Sequence, residues 1–279
     1  MSSEYPIEKI AIYGKGGIGK SVIATSLSAW YAMAGKRVLH VGCDPKHDSA
    51  IRLIDGKEEV KTVLDVLGDN PEATQSKDFL NQGRHGIQCC ESGGPHAGLG
   101  CGGRGVARTI EHLDDIGILE NGEFDVAIFD VLGDVVCGGF AAPLRSGFAE
   151  KVIIIVSEEP MSLFAANNIS RAVNAYQRNG VVLAGIVLNE RGKEIDRTPI
   201  EKFCERINTR IIATIKRDVR VMEGERVKRT IVEWAPECES AQAIAQLGAL
   251  LSTLVPADLE QPTPMADNEF FEFMQQHGG

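Results

Sequence analysis

Gly14-Lys15-Gly16-Gly17-Ile18-Gly19-Lys20-Ser21 follows a short apolar run, Ile10 to Tyr13, and opens a helical pattern. It fits the phosphate-binding template G-x-x-x-x-G-K-[ST] in a strand–loop–helix setting. Glycines let backbone N–H groups turn inward on phosphate oxygens. Lys20 can reach the β- and γ-phosphates, and the Ser21 hydroxyl can ligate Mg²⁺. A ligand-free glycine turn would leave Lys and Ser at the helix start without a purpose. The stretch therefore predicts nucleotide binding by Gly14, Gly16, Gly17, Ile18, Gly19, Lys20 and Ser21.

Working outward, apolar runs alternate with helical patterns. Lys9–Tyr13, Arg37–Val41, Asp125–Phe129, Lys151–Val156 and Val182–Leu188 read as buried strands, and Ser21–Ala34 and Leu163–Asn179 as helices. That alternation predicts an α/β fold, a doubly wound, mostly parallel sheet covered on both faces. Ligands of such sheets bind outside the carboxyl ends of the strands, where the loop, Asp44 and Asp130 all fall. A second lysine, Lys15, stands at the start of the loop and cannot easily bend back to its own nucleotide. In this the chain resembles the deviant two-lysine class of phosphate-loop NTPases, whose lysine crosses a dimer interface. The resemblance implies ATP hydrolysis coupled to rearrangement of two subunits.

The 279 residues suffice for one large domain, with 43% hydrophobic and 24% charged residues. Residues 1–255 read as a single nucleotide-binding domain. From Pro256 the chain changes character: Pro256, Pro262 and Pro264 precede Phe270, Phe271 and Phe273, so 256–279 reads as a C-terminal tail. A net charge of −10 argues against a general nucleic-acid coat or an anionic membrane surface as partner. The start of the chain has no apolar signal region and no stretch reaches membrane-spanning length, so a cytoplasmic location is expected.

Acidic residues follow two of the strands. Asp44 and Asp48 lie in Gly42-Cys43-Asp44-Pro45-Lys46-His47-Asp48, and Asp130 and Asp134 in Asp130-Val131-Leu132-Gly133-Asp134. Asp130 is placed to hold Mg²⁺, Gly133 to offer an N–H to the γ-phosphate, and Asp44 or Asp134 to orient or deprotonate water. One aspartate at a strand end is usually a cap or turn residue. Two clusters behind a phosphate loop favour the catalytic reading, whereas His47 reads as a loop residue.

Seven cysteines without a C-x-x-C pair indicate neither a disulfide framework nor a zinc ribbon. Most, Cys89 and Cys90 included, read as buried structural thiols. Cys101 and Cys137 stand apart because both are wrapped in glycine, where backbone N–H groups can approach sulfur. They suit buried thiols, a redox pair, zinc ligands, or half of a [4Fe–4S] site completed by a two-fold partner. Asp134 runs straight into Cys137, so a phosphate-sensing loop would lead into that site.

Together these motifs resemble the nitrogenase iron protein family. They are Gly14–Ser21, Gly42–Lys46, Glu91-Ser92-Gly93-Gly94-Pro95, Gly100–Gly105, Asp130–Phe140 and Ala165–Ile169. The resemblance spans nearly the whole chain. It implies a homodimer that hydrolyses MgATP and passes single electrons from one bridging [4Fe–4S] cluster to a separate catalytic component. It implies that Cys101 and Cys137 of both subunits hold the cluster and that Lys15 acts across the interface. Asp44 and Asp48 match the first switch, Asp130 and Asp134 the second, Asn189 the adenine contact and Arg104 the docking face. A ferredoxin or flavodoxin is implied as electron donor. In some members the arginine matching Arg104 is ADP-ribosylated.

The chain departs from nitrogenase reductases at Val22–Ser26, Ala50, Lys216 and Ser157–Met161. These changes spare the ATP and cluster residues and point to a nitrogenase-like reductase, with the methylthio-alkane system favoured over dinitrogenase reductase. The competing class is the ParA/MinD-type positioning ATPase, which needs neither Cys101 nor Cys137. A cluster-carrying dehydratase activator or assembly scaffold is a third reading.

Overall fold

The computed structural model describes residues 7–46, 48–56, 59–69, 75–94, 102–133, 138–145 and 147–277. Among them, eight strands form one sheet in the order β3-β4-β2-β5-β1-β6-β7-β8. In chain order the elements are β1 (Glu8–Gly14), α1 (Lys20–Met33), β2 (Val38–Cys43), α2 (Val63–Asp69), α3 (Ser76–Phe79), β3 (Asn81–Gln82), β4 (Gln88–Glu91), α4 (Gly102–Asp115) and β5 (Val126–Val131). There follow α5 (Ala142–Arg145), β6 (Lys151–Val156), α6 (Pro160–Ala175), β7 (Val182–Asn189), α7 (Thr198–Arg206), β8 (Ile211–Ile215), α8 (Val219–Arg226), α9 (Ile231–Trp234), α10 (Glu239–Thr253) and α11 (Asp267–His277). All pairings are parallel except β3 with β4.

The expected doubly wound α/β architecture is thus the observed one, and the five strands read from apolar runs all form. Three were not expected. β3 and β4 are two and four residues long, and β8 is a half-buried edge strand. The helix expected over Leu163–Asn179 starts earlier, at Pro160, because proline is accommodated in a first turn, and ends at Ala175 before a 3-10 turn.

Alternation along each strand divides the core. Ile10 and Ile12 of β1 face one layer with Ile23, Leu27, Ile244 and Leu247 of α1 and α10. Ala11 and Tyr13 face the other, with Leu163, Ile169 and Val173 of α6. Since β2, β5, β1 and β6 are covered on both sides, their residues are apolar almost without interruption.

The tail docks on the second layer. Asn167 of α6 exchanges two hydrogen bonds with the Met265 backbone, at 2.9 and 2.8 Å. Phe270, 1% exposed, packs edge-on against Phe164 and Phe203.

Register places the site. Asp130 lies beside Ile12 of β1 on one side and Gly42 of β2 on the other, and Gly42 lies beside Glu91 of β4. One row across four strands thus carries two carboxylates to the sheet edge where the phosphate loop begins.

Candidate nucleotide and cluster site

The loop between β1 and α1 needs glycine where its backbone is left-handed. Gly14 has φ 144°, and a Cβ there would strike the Ile155 carbonyl of β6. Gly19 has φ 100°, and a Cβ there would stand 2.6 Å from the Asn189 amide nitrogen. Ser21 follows in the first turn of α1. Lys20 is 7% exposed; its ammonium folds over the loop and donates to the carbonyls of Gly14 (2.9 Å) and Lys15 (3.1 Å). The ammonium is thereby held over the loop at the N-terminus of α1, where its charge suits an anion.

Asn189, at the end of β7, donates to the Ile18 carbonyl at 2.8 Å. Arg191 donates to the Gly17 carbonyl and pairs with Glu159 at 3.4 Å. Glu159 also takes the Lys15 ammonium at 3.4 Å. Sequence reasoning marked Glu159 only as part of the departing stretch Ser157–Met161 and gave Arg191 no role; charged residues in loops carry no local signature.

Below the loop, Asp130 is 5% exposed. It accepts from Ser49 at 2.6 Å and from Ser21. Burial raises its pKa, and the Ser21 and Ser49 hydroxyls and the Lys20 charge work against that rise. Glu91, fully buried, accepts from the Ala50 N–H at 2.5 Å through one oxygen. Its other oxygen has no hydrogen-bond partner among the described residues. Burial, with the charges of Asp130, Asp48 and Asp44, pushes Glu91 up to about 8. Asp44 closes a turn by accepting from the Lys46 N–H at 2.9 Å, and Asp48 is exposed. Gly133 has a positive φ of 51° just beyond β5. β4 is only Gln-Cys-Cys-Glu, too short a pattern to have marked Glu91 as a buried acid.

A cavity of about 490 Å³ opens beside the loop. Gly17, Gly19 and Asn189 form one wall, and Ile215, Val221 and Met222 form another. Apolar faces with polar edges suit a planar heterocycle. Its β8, α8 and α10 walls were not foreseen.

Cys101, Cys137 and Asp134 lie outside the described residues, as does His47. Their neighbours can still be placed. A Cβ on Gly139 would collide with the backbone of Gly103, so the chain two residues past Cys137 abuts the chain two residues past Cys101. Gly94 and Gly102, which flank the segment bearing Cys101, both press on the Pro45 ring. Arg104 is exposed on the first turn of α4. Glycine-walled approach of two cysteine-bearing segments fits a thiolate-held iron–sulfur group. The described cysteines Cys43, Cys89, Cys90, Cys204 and Cys238 are all buried. Among the described residues no group of three His, Cys, Asp or Glu forms a metal site, and no helix is long and apolar enough to cross a membrane.

Fold and phosphate loop define a phosphate-loop NTPase of the deviant class. The septum site-determining protein MinD of Pyrococcus horikoshii OT3, complexed with Mg-ADP, superposes with TM-score 0.71 at 20% identity over 88% of this chain and 96% of that one. The cell division ATPase MinD of Pyrococcus furiosus gives 0.70 at 22% over 89% and 100%. At such identities the likeness shows the fold alone.

Sequence takes the assignment further. Residues 8–278 match the family described as 4Fe-4S iron sulfur cluster binding proteins, NifH/frxC family. Nitrogenase iron protein 1 of Methanothermobacter thermautotrophicus is 42% identical over 277 residues, 98% of either chain. The nitrogenase iron protein of Methanococcus voltae is 41% identical over 261 residues, 91% of this chain and 93% of its own. The chain belongs to the NifH/frxC family, whose cofactors are a [4Fe–4S] cluster and MgATP.

Proposed function

We propose that this chain is the ATP-driven electron-transfer component of a nitrogenase-like system, working as a homodimer. The observation that carries it is the wedge of Pro45 against Gly94 and Gly102. The first switch loop, which ends in Asp44 and Asp48, thereby leans on the glycines around Cys101. Movement at the phosphate is delivered by direct packing to Gly94 and Gly102, which flank the segment bearing the sulfur ligand.

Roles follow from position. Backbone N–H groups of Gly16–Gly19 and the Lys20 ammonium bind phosphate, and Ser21 with Asp130 holds Mg²⁺. Lys15, paired among the described residues with a half-buried Glu159, can swing to the partner's nucleotide. Asp44 and Asp134 are the candidates to orient water, and Asp48 and Gly133 read the γ-phosphate. Asn189 braces the loop from the base cavity. Cys101 and Cys137 of each subunit hold the cluster, which supplies a low-potential one-electron centre when bound. Arg104, exposed beside Gly103, belongs to the face that meets the catalytic component.

We treat residues 1–255 as the working domain and 256–279 as an arm docked on it. Electrons arrive from a ferredoxin or flavodoxin. The partner is a nitrogenase-like catalytic component, with methylthio-alkane reduction favoured. Supporting this are the departures at Ser157–Met161, where Met161 is 52% exposed and Glu159 holds Lys15.

Iron and sulfide analysis with EPR on anaerobic, dithionite-reduced protein tests this. About four irons per dimer are expected for one [4Fe–4S] cluster shared by two subunits, with a signal that changes on adding MgATP. Iron-free protein would sink the proposal. Gly139→Val should lose most of its iron while still binding nucleotide, because the added side chain separates the two cysteine segments.

A further inference from the structure

A polar chain that the roles above leave unused runs beneath the phosphate loop. His40 lies on β2, completely buried, on the strand face turned to α1. One ring nitrogen, Nδ1, is 2.9 Å from Ser28 Oγ of α1. The other, Nε2, is 2.9 Å from Ser49 Oγ, and Ser49 reaches Asp130 at 2.6 Å. Ser28, Ser49 and Asp130 are themselves 0, 1 and 5% exposed.

Donor bookkeeping gives this chain one direction. A carboxylate oxygen only accepts, so Ser49 spends its single hydrogen on Asp130. Ser49 must then accept from His40, which puts the ring proton on Nε2. His40 Nδ1 is left as an acceptor, and Ser28 donates to it. Burial lowers the His40 pKa to about 3, so the ring is neutral, as this pattern requires. Nothing in packing calls for histidine here: Val38, the strand neighbour on the same face, and Ile128, beside His40 on β5, are apolar members of that layer, and an apolar residue at 40 would complete it. A buried imidazole costs free energy unless both nitrogens are satisfied, and here both are.

We propose that His40 is a positioning residue for the cation site: its Nε2–H locks the Ser49 hydroxyl onto Asp130 and so fixes the carboxylate that meets Mg²⁺. The proposal rests on the reading of Asp130 as a magnesium-side carboxylate. Asp130 has two hydroxyl donors, Ser21 and Ser49. The loop motif commits Ser21 to the cation, which leaves Ser49 as the donor that holds Asp130 once the ion arrives. Without His40, the Ser49 hydroxyl can rotate away and Asp130 loses its orientation. The adjacent Ala50 N–H, held by Glu91, keeps Ser49 itself in place. Partners of this kind typically change metal affinity 10–100-fold when removed.

The test titrates Mg²⁺ into the full chain loaded with ADP, followed by calorimetry. His40→Leu and Ser49→Ala should each weaken Mg²⁺ about 10-fold, with ADP affinity in EDTA unchanged. His40→Gln, whose amide can still donate to Ser49, should recover most of the loss. ¹⁵N-histidine NMR of the unmutated protein should show one neutral ring protonated at Nε2; this readout survives even if His40→Leu fails to fold. A His40→Leu protein with Mg²⁺ affinity within twofold of the original, or a ring protonated at Nδ1, would overturn the proposal. Asp130→Asn separates the two readings. If it leaves Mg²⁺ binding intact, the assignment of Asp130 fails and the role of His40 falls with it. If it abolishes binding while His40→Leu does nothing, only His40 is wrong.

Discussion

Two polar networks brace the same phosphate loop, and they are built in opposite ways. Ser28, His40, Ser49 and Asp130 are joined in the core, none more than 5% exposed. Lys15, Glu159 and Arg191 are joined at the surface, with side chains 38, 44 and 43% exposed. In the core, an unmade hydrogen bond leaves a group with no water to turn to and costs about 1–3 kcal/mol. At the surface, water and salt replace a lost partner, and such pairs contribute about 0–1 kcal/mol. The groups around Asp130, the carboxylate proposed to face the cation, sit in the first network. Lys15, proposed to leave its own subunit and serve another, sits in the second.

The largest effect is expected where both networks converge. Lys20→Ala removes the ammonium that caps the loop, and nucleotide affinity measured by calorimetry should fall about 100-fold, equivalent to about 3 kcal/mol. Unchanged binding would remove Lys20 from the site. Next comes Ser49→Val, which strands the His40 donor and an Asp130 oxygen together. Urea unfolding should show a loss of roughly 2–4 kcal/mol. A loss below about 0.5 kcal/mol, the range of ordinary surface changes, would erase the distinction between the networks.

A third experiment sharpens the contrast through pH. Burial holds Glu91 near 8 in the fold against an ordinary 4.5. The folded chain therefore keeps a proton that the unfolded chain releases, and this contribution to stability is lost as pH rises from about 4.5 through 8. Glu91→Gln carries no such proton. The Tm advantage of the Gln variant over the parent should widen between pH 5 and pH 9, and parallel Tm curves would mean that Glu91 is charged inside the protein. The smallest effect belongs to Glu159→Gln. It should cost no more than about 1 kcal/mol of stability, a cost that shrinks further in high salt. A penalty rivalling that of Ser49→Val would show that the outer network is as rigid as the inner one.

Legibility in the sequence followed the same physics. β1, β2, β5, β6 and β7 announced themselves because a parallel strand covered on both faces has no polar side to show. β3, β4 and β8 are short or half-buried, so Gln88-Cys89-Cys90-Glu91 and Ile211–Ile215 carry too little pattern. The phosphate loop was readable residue by residue, since its glycines, lysine and serine act within eight positions of one another. The cavity beside it was not, because Gly17 and Met222 meet only through the fold.

The sequence by itself determined the chemistry of local stretches: where phosphate is cradled, where apolar strands run, and to which family the whole belongs. Only the tertiary structure decided who partners whom. Ser49 finds Asp130 across 81 residues of chain, Lys15 finds Glu159 across 144 and Asn189 finds Ile18 across 171. Such pairings leave no periodic trace, since strand order in a doubly wound sheet differs from chain order. Adjacency at the carboxyl ends is therefore created by topology, and the histidine beneath the loop acquires a role only when α1, β2 and β5 are laid side by side.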